Sequence, residues 1–88
     1  MSDKLIIVDG IKADVTQDDF DDIEVLELLA EIGEGNGTKA VKLLKLVFGE
    51  EKYAEIKEKL RDPETGKTKT STIMDWFQKV SEKVGAGN

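Results

Sequence analysis

Near the start of the chain, two short apolar segments flank a turn signal. Residues 5–8 are four consecutive apolar side chains, residues 11–15 alternate apolar with polar ones, and Asp9-Gly10 stands between the two segments. Asp-Gly favours the positive φ angles of a type I′ turn, so the pattern predicts a β-hairpin over residues 4–15. Because an isolated hairpin is only marginally stable, we expect it to lie against helices or to pair its free edge with another chain.

The rest of the chain has apolar residues at helical spacing in four segments. Between the first two, residues 33–37 contain three glycines, which predicts a flexible linker and a candidate hinge. Between the last two, residues 62–70 are charged and rich in turn-forming residues, which predicts an exposed loop. The predicted helices cover residues 18–32, 39–48, 50–61 and 72–84.

Capping residues mark the ends of the first two predicted helices. Thr16 or Asp18 is the expected N-cap of the first helix, and Gly33 is its expected stop. Thr38 is the expected N-cap of the second helix. Gly49 follows that helix in the position where a left-handed residue commonly ends it.

The last two predicted helices are ordinary amphipathic segments. The third ends before Pro63 and carries Glu55 and Lys59 as an i,i+4 pair. The apolar side of the fourth helix consists of Ile73, Met74, Trp76, Phe77, Val80 and Val84. The fold class predicted from these elements is mainly α: a small four-helix domain with a short N-terminal β-hairpin. We expect residues 1–84 to form one domain and residues 85–88 to be a flexible tail.

The first two predicted helices are apolar around most of their circumference. In the first, Glu24, Glu27 and Glu31 fall in a narrow stripe, and apolar residues cover roughly 220° of the remainder. In the second, Lys42 and Lys45 mark the clearly polar side. One neighbour cannot cover so broad an apolar surface. Either both helices are central in a bundle, or part of one face stays open as a groove for a partner helix or closes in a homo-oligomer.

Charge is unevenly distributed along the chain. The net charge is −6, but residues 1–35 have a net charge of −9 and residues 36–88 one of +3. The four aspartates between residues 18 and 22 are well placed to offset the dipole at a helix N-terminus. Alternatively, they form an acidic surface that steers a basic partner. A basic stripe with interleaved aromatics is missing, so we expect no nucleic-acid binding.

The residue types present argue against catalysis and against cofactors. The chain has no His and no Cys, which removes the commonest general base, the thiolate nucleophile and the usual transition-metal ligands. We therefore predict that the protein is not an enzyme, and we expect neither a metal nor a cofactor. No run approaches the roughly 20 apolar residues that cross a bilayer. We expect a soluble protein that does not bind membranes.

The order of these features resembles one family. A short hairpin and an acidic lead-in precede Ile23-Glu-Val-Leu-Glu-Leu-Leu-Ala-Glu-Ile32, and a glycine-containing gap leads to Ala40-Val-Lys-Leu-Leu-Lys-Leu-Val-Phe-Gly-Glu-Glu-Lys-Tyr53. The most distinctive piece is Leu-x-Phe-Gly-Glu-Glu-x-Tyr, which ends at Tyr53. Together they resemble the tail assembly chaperones of long-tailed phages and prophages of Gram-positive bacteria. The gap after the first helix departs from that pattern, since a Pro-containing loop would be expected there.

The resemblance implies a binding function in the cytoplasm of a bacterial host. It implies that the protein coats the long, helical tape measure protein until tail tube subunits polymerise around it. A longer, frameshifted form often carries an extra domain that contacts the tail tube protein. The apolar helix faces then supply the contact surface, which we predict to consist of Val25, Leu28, Leu29, Ile32, Val41, Leu44 and Phe48.

Two other binding functions stay open at the level of sequence. An acidic decoy would imitate the phosphate spacing of nucleic acid and bind a basic protein, which needs acidic residues spread over the folded surface. A helical adaptor or regulator would instead dimerise through the first two helices. Both alternatives, like the chaperone, bind another protein and need no catalytic residues.

Overall fold

The computed structural model describes residues 5–85, which form a mainly helical domain with an N-terminal hairpin, as predicted. The predicted hairpin start at residue 4 and the predicted tail residues 86–88 lie outside the described residues. In chain order the elements are β1 (Leu5–Val8), β2 (Ile11–Asp14), α1 (Gln17–Phe20), α2 (Ile23–Gly33), α3 (Lys39–Phe48), α4 (Glu50–Lys59) and α5 (Thr70–Lys83).

The hairpin has the predicted turn and is fixed to the last helix. Strands β1 and β2 pair antiparallel, with Val8 opposite Ile11. Asp9 and Gly10 have φ angles of 53° and 81°, both positive as a type I′ turn requires. The indole Nε1–H of buried Trp76 donates a hydrogen bond of 2.9 Å to the carbonyl oxygen of Val8. The hairpin is therefore stabilised by packing against α5, as a two-stranded sheet requires.

The predicted first helix is interrupted, so the described residues contain five helical segments rather than four. Asp21 leaves the helical conformation, with φ −89° and ψ 66°. Asp22 is extended and caps the second segment, since its Oδ1 accepts a hydrogen bond of 2.9 Å from the backbone N–H of Glu24. Short aspartate side chains compete with the backbone ladder in this way, and periodicity alone does not detect it.

The other helix ends differ from prediction in detail. Thr38 precedes α3, but its backbone is already helical and its side chain makes no capping hydrogen bond. Gly49 has the expected positive φ of 89°, but its ψ of 163° is extended rather than left-handed helical, so the chain turns directly into α4. Helix α4 ends at Lys59, two residues early, and Glu55 pairs with Lys52 at 3.0 Å rather than with Lys59.

The loop between α4 and α5 is held by its own hydrogen bonds. The carbonyl oxygen of Gly66 accepts from the Arg61 guanidinium at 2.7 Å, and the Gly66 N–H donates to the carbonyl of Asp62 at 2.7 Å. Helix α5 then begins at Thr70, two residues before the predicted start. At its far end, Gly85 lies in the predicted tail, yet its carbonyl accepts a hydrogen bond of 2.9 Å from the Gln17 side chain.

One hydrophobic core joins the hairpin to the helices. Helix α5 packs against β1, and buried side chains of β2, α2, α3 and α4 complete the core. The core residues are Val8, Ile11, Ala13, Val15, Val25, Leu28, Leu43, Leu44, Tyr53, Ile56, Ile73, Trp76, Phe77 and Val80.

Candidate protein-binding groove

Helix α2 has three distinct faces. Val25 and Leu28 point into the core and are buried. Glu24 belongs to the acidic stripe and is exposed to solvent. The third face is apolar and exposed, because the side chains of Ile23 and Leu26 are 65% and 60% accessible to solvent. No element among residues 5–85 covers this third face, which we call the outer face of α2. It consists of Ile23, Leu26 and Ala30, which are all exposed and follow one another at spacings of three and four residues.

A groove runs along the edge of the outer face. It lies between α1 and α2 on one side and α5 on the other, and its volume is about 430 Å³. Leu26 belongs to both surfaces, since it lines the groove and is exposed on α2. The residues that line the groove are Phe20, Leu26, Leu29, Met74, Asp75, Phe77, Gln78 and Ser81.

Aromatic side chains form the floor of the groove. Short helix α1 holds Phe20 against Phe77, with 5.4 Å between the ring centroids. Phe77 meets Phe48 edge to face at 6.2 Å, and Phe48 lies 5.4 Å from Trp76. Such tilted contacts between aromatic rings are favourable beyond the area they bury. The floor is therefore continuous with the core.

Acidic residues border the groove at the α1 end. Phe20 also lines a shallow polar depression together with Gln17, Asp18 and Asp21. No basic residue occurs between Lys12 and Lys39 in the sequence. The carboxylate of Asp19 is engaged locally, where it accepts a hydrogen bond of 2.8 Å from the Thr16 N–H and fixes the start of α1.

The ion pairs within residues 5–85 lie elsewhere. Glu31 pairs with Lys39 at 3.5 Å and Asp9 with Lys79 at 3.1 Å. On α4, Glu55 pairs with Lys52 and Glu58 with Arg61. A hydrogen bond from Lys52 lowers the pKa of the Glu55 carboxyl, and one from Arg61 lowers the pKa of Glu58. These shifts come from exposed helix pairs and have no connection with the groove.

The structure places the predicted contact residues in several environments. Val25, Leu28 and Leu44 lie in the core, where their side chains are not accessible to a partner of the folded domain. Leu29 lines the groove and is half-buried. Ile32 and Phe48 are also half-buried and pack against the core. Val41 is exposed on α3 at 42%.

Four apolar residues of the groove were not predicted from the sequence to belong to a binding surface. Leu26 belongs to the broad apolar arc of the first predicted helix, but the periodicity does not show which part of that arc stays uncovered. Phe20 lies before the break in that helix, and Met74 and Phe77 were assigned to the apolar side of the last helix. The useful signal was the breadth of the apolar arc itself, which exceeds what one neighbour covers.

Further exposed apolar side chains are found outside the groove. Leu5 and Ile7 lie on the outer side of the hairpin, and Leu46 lies on α3. Each has a charged neighbour: Leu5 is paired with Asp14, Ile7 with Lys12, and Leu46 follows Lys45. Leu5 and Ile7 also line depressions of the surface, but the groove beside Leu26 has the more apolar lining, which makes this side of the molecule the best candidate for binding another protein.

The part of the chain that the structure describes, residues 5–85, contains no group of three acidic side chains arranged to hold a metal ion. Within the same range, no helix combines the length and the apolar character needed to span a bilayer. Comparisons with protein-family models, with curated proteins and with solved structures found no match for this chain. The groove and the outer face of α2 are thus the features from which a function is inferred.

Proposed function

We propose that this chain is a non-catalytic phage tail assembly chaperone, which binds the tape measure protein and keeps it soluble while the tail tube assembles. The observation that carries this proposal is the outer face of α2, where Ile23 and Leu26 remain exposed beside an apolar groove. The identity of the client comes from the resemblance of the sequence motifs to that family.

Binding would cover apolar surface on both proteins. Full burial of a Leu or Ile side chain contributes about 1.5–3 kcal/mol, so covering Ile23 and Leu26 gives a modest affinity that still permits release. The groove accepts further apolar side chains next to Leu29 and Met74. A chaperone needs such reversible contacts, because its client must later be transferred to tail tube subunits. A longer, frameshifted form would bring in the tail tube protein.

Charge contributes to the same role. The client is expected to be long, helical and prone to aggregation, and a coat of strongly acidic domains repels other coated complexes. Residues 1–35 carry the net charge of −9 that would supply this repulsion. The acidic stripe and the outer face lie on adjacent sides of α2. A client bound to the outer face would therefore contact apolar side chains, and the carboxylates would stay beside it in the solvent.

Co-expression tests the proposal. The chain is produced together with the tape measure protein from the same genome, and we expect it to raise the soluble fraction of that protein and to co-purify with it. The variant Leu26→Asp should lose this effect while it keeps the helical circular dichroism of the wild type, because Leu26 is largely exposed. Leu46→Asp is the matched control, since Leu46 is exposed on α3 away from the groove lining.

Three results would count against the chaperone function. The first is a soluble fraction of the tape measure protein that co-expression does not change. The second is a Leu26→Asp variant as effective as the wild type, and the third is a Leu46→Asp variant that loses the effect as fully as Leu26→Asp. The alternative function is an acidic adaptor or decoy for a basic protein, which the acidic depression at Asp18 and Asp21 favours. It predicts capture of basic proteins that survives Leu26→Asp and is lost in Asp18→Asn/Asp21→Asn.

A further inference from the structure

We infer that the groove and the outer face of α2 bind one amphipathic helix whose apolar face is flanked by Lys or Arg side chains. This inference rests on the proposed function, because it names the chemistry of the client segment that the same surface would hold. The juxtaposition that supports it is an apolar surface with carboxylates at its α1 end and on its α5 side.

The shape of the surface favours a helix over a small molecule. A compact ligand would fill the groove of about 430 Å³ and leave Ile23 uncovered. An amphipathic helix places apolar anchors at spacings of three, four and seven residues, so it can extend from Met74 in the groove across Leu26 to Ile23. Ile23 and Leu26 are both largely exposed, so a docked helix can reach them.

The charges around the surface favour a basic helix. Asp18 and Asp21 lie beside Phe20 at one end, and Asp75 lines the groove on the α5 side. None of the four ion pairs within residues 5–85 involves these three carboxylates. Lys or Arg side chains on the bound helix would give them charge-assisted hydrogen bonds and would orient the helix in the groove.

The same charges disfavour two other occupants. A second copy that paired its own outer face with this one would bring Glu27 of both copies close together, because Glu27 borders Ile23 and Ala30 on the helix. An acidic helix would face Asp18, Asp21 and Asp75 without compensation. Like charges at close range oppose association and act against wrong partners.

Three labelled peptides test the inference by fluorescence anisotropy with the full chain. The first, of about 18 residues, has leucines along one helical face and lysines beside them. The second has glutamate in place of every lysine, and the third is a scramble of the first that distributes its leucines around the helix. We expect the lysine peptide to bind at least about tenfold more tightly than either of the others. Raising NaCl from about 50 to about 500 mM should weaken its binding several-fold, because salt screens exposed charges.

Variants locate the site. Leu26→Asp should weaken binding of the lysine peptide at least about tenfold, and Leu46→Asp should leave it unchanged. The double variant Asp18→Asn/Asp21→Asn should weaken peptide binding by about two- to fivefold. The control double variant Glu50→Gln/Glu51→Gln removes the same charge from α4 and should leave peptide binding unchanged. Equal binding of the glutamate or scrambled peptide would overturn the inference, as would binding of the lysine peptide that survives Leu26→Asp. A homo-oligomer of the free chain that Leu26→Asp dissociates would overturn it too, because a second copy would then occupy the surface.

The outcome separates this inference from the function on which it rests. If Leu26→Asp abolishes solubilisation of the tape measure protein while lysine and glutamate peptides bind equally, the occupant is wrong and the chaperone function stands. If the lysine peptide binds at Leu26 while co-expression leaves the tape measure protein insoluble, the basic helix is the correct occupant and the client protein is wrong.

Discussion

Helices α2 and α5 differ in how the fold covers them. Helix α2 has the more apolar sequence, with seven apolar side chains among its eleven residues, and yet it leaves Ile23 and Leu26 largely exposed. Helix α5 is less apolar, but Trp76, Phe77 and Val80 are almost completely buried. The hairpin lies over α5, and no described element lies over the outer face of α2. Exposure thus depends on which neighbours a helix has, and the uncovered apolar surface on α2 is the observation on which the proposed binding function rests.

The largest effect is expected on the covered side. Trp76→Ala removes a buried side chain and its hydrogen bond to Val8, which should lower the free energy of unfolding by about 3–5 kcal/mol. Such a loss is a large fraction of the stability of a small domain. Urea denaturation followed by circular dichroism measures it. A loss under about 1 kcal/mol would show that the hairpin and α5 are not packed as described.

A matched pair of substitutions on α2 comes next. Leu28→Ala should lower the free energy of unfolding by about 2–4 kcal/mol, because Leu28 is buried in the core. Leu26→Ala, the same change two residues earlier, should alter it by no more than about 0.5 kcal/mol. Equal losses in the same urea experiment would break the comparison, since they would mean that both faces of α2 are covered.

The start of α2 gives a smaller effect. Asp22→Ala removes the carboxylate that accepts from the Glu24 N–H, and it should cost about 1 kcal/mol of stability. Asp21→Ala removes the same charge from a side chain that makes no capping hydrogen bond, so the difference between the two variants isolates the hydrogen bond of Asp22. If both variants have the same urea midpoint, Asp22 does not determine where α2 begins.

Much of the fold could be predicted from the sequence, because it depends on local signals. The Asp9-Gly10 turn and the bounds of α3 at residues 39–48 agree with the structure, and both follow from turn chemistry and periodicity. The break at Asp21 and Asp22 was missed, since neighbouring aspartates suit both a helix start and an interruption.

The candidate site was harder to predict than the fold. Periodicity showed that the first helix is broadly apolar, but the direction of the core depends on long-range packing. Val25 and Leu28 were assigned to the contact surface, and the structure places them in the core. Leu26 is absent from the predicted contact surface, and it is exposed at the edge of the groove. A second helix contributes Met74 to the same surface, and sequence patterns do not show that two distant helices adjoin.

The most direct test of the central claim is a methyl NMR spectrum of the chain, recorded as the tape measure protein or its soluble helical segment is added. Binding at the groove and the outer face of α2 predicts that the methyl signals of Ile23, Leu26 and Met74 shift or broaden first, while those of Leu5 and Ile7 on the hairpin stay in place. Changes confined to the hairpin, or equal changes at both sites, would contradict the claim that α2 presents the binding surface.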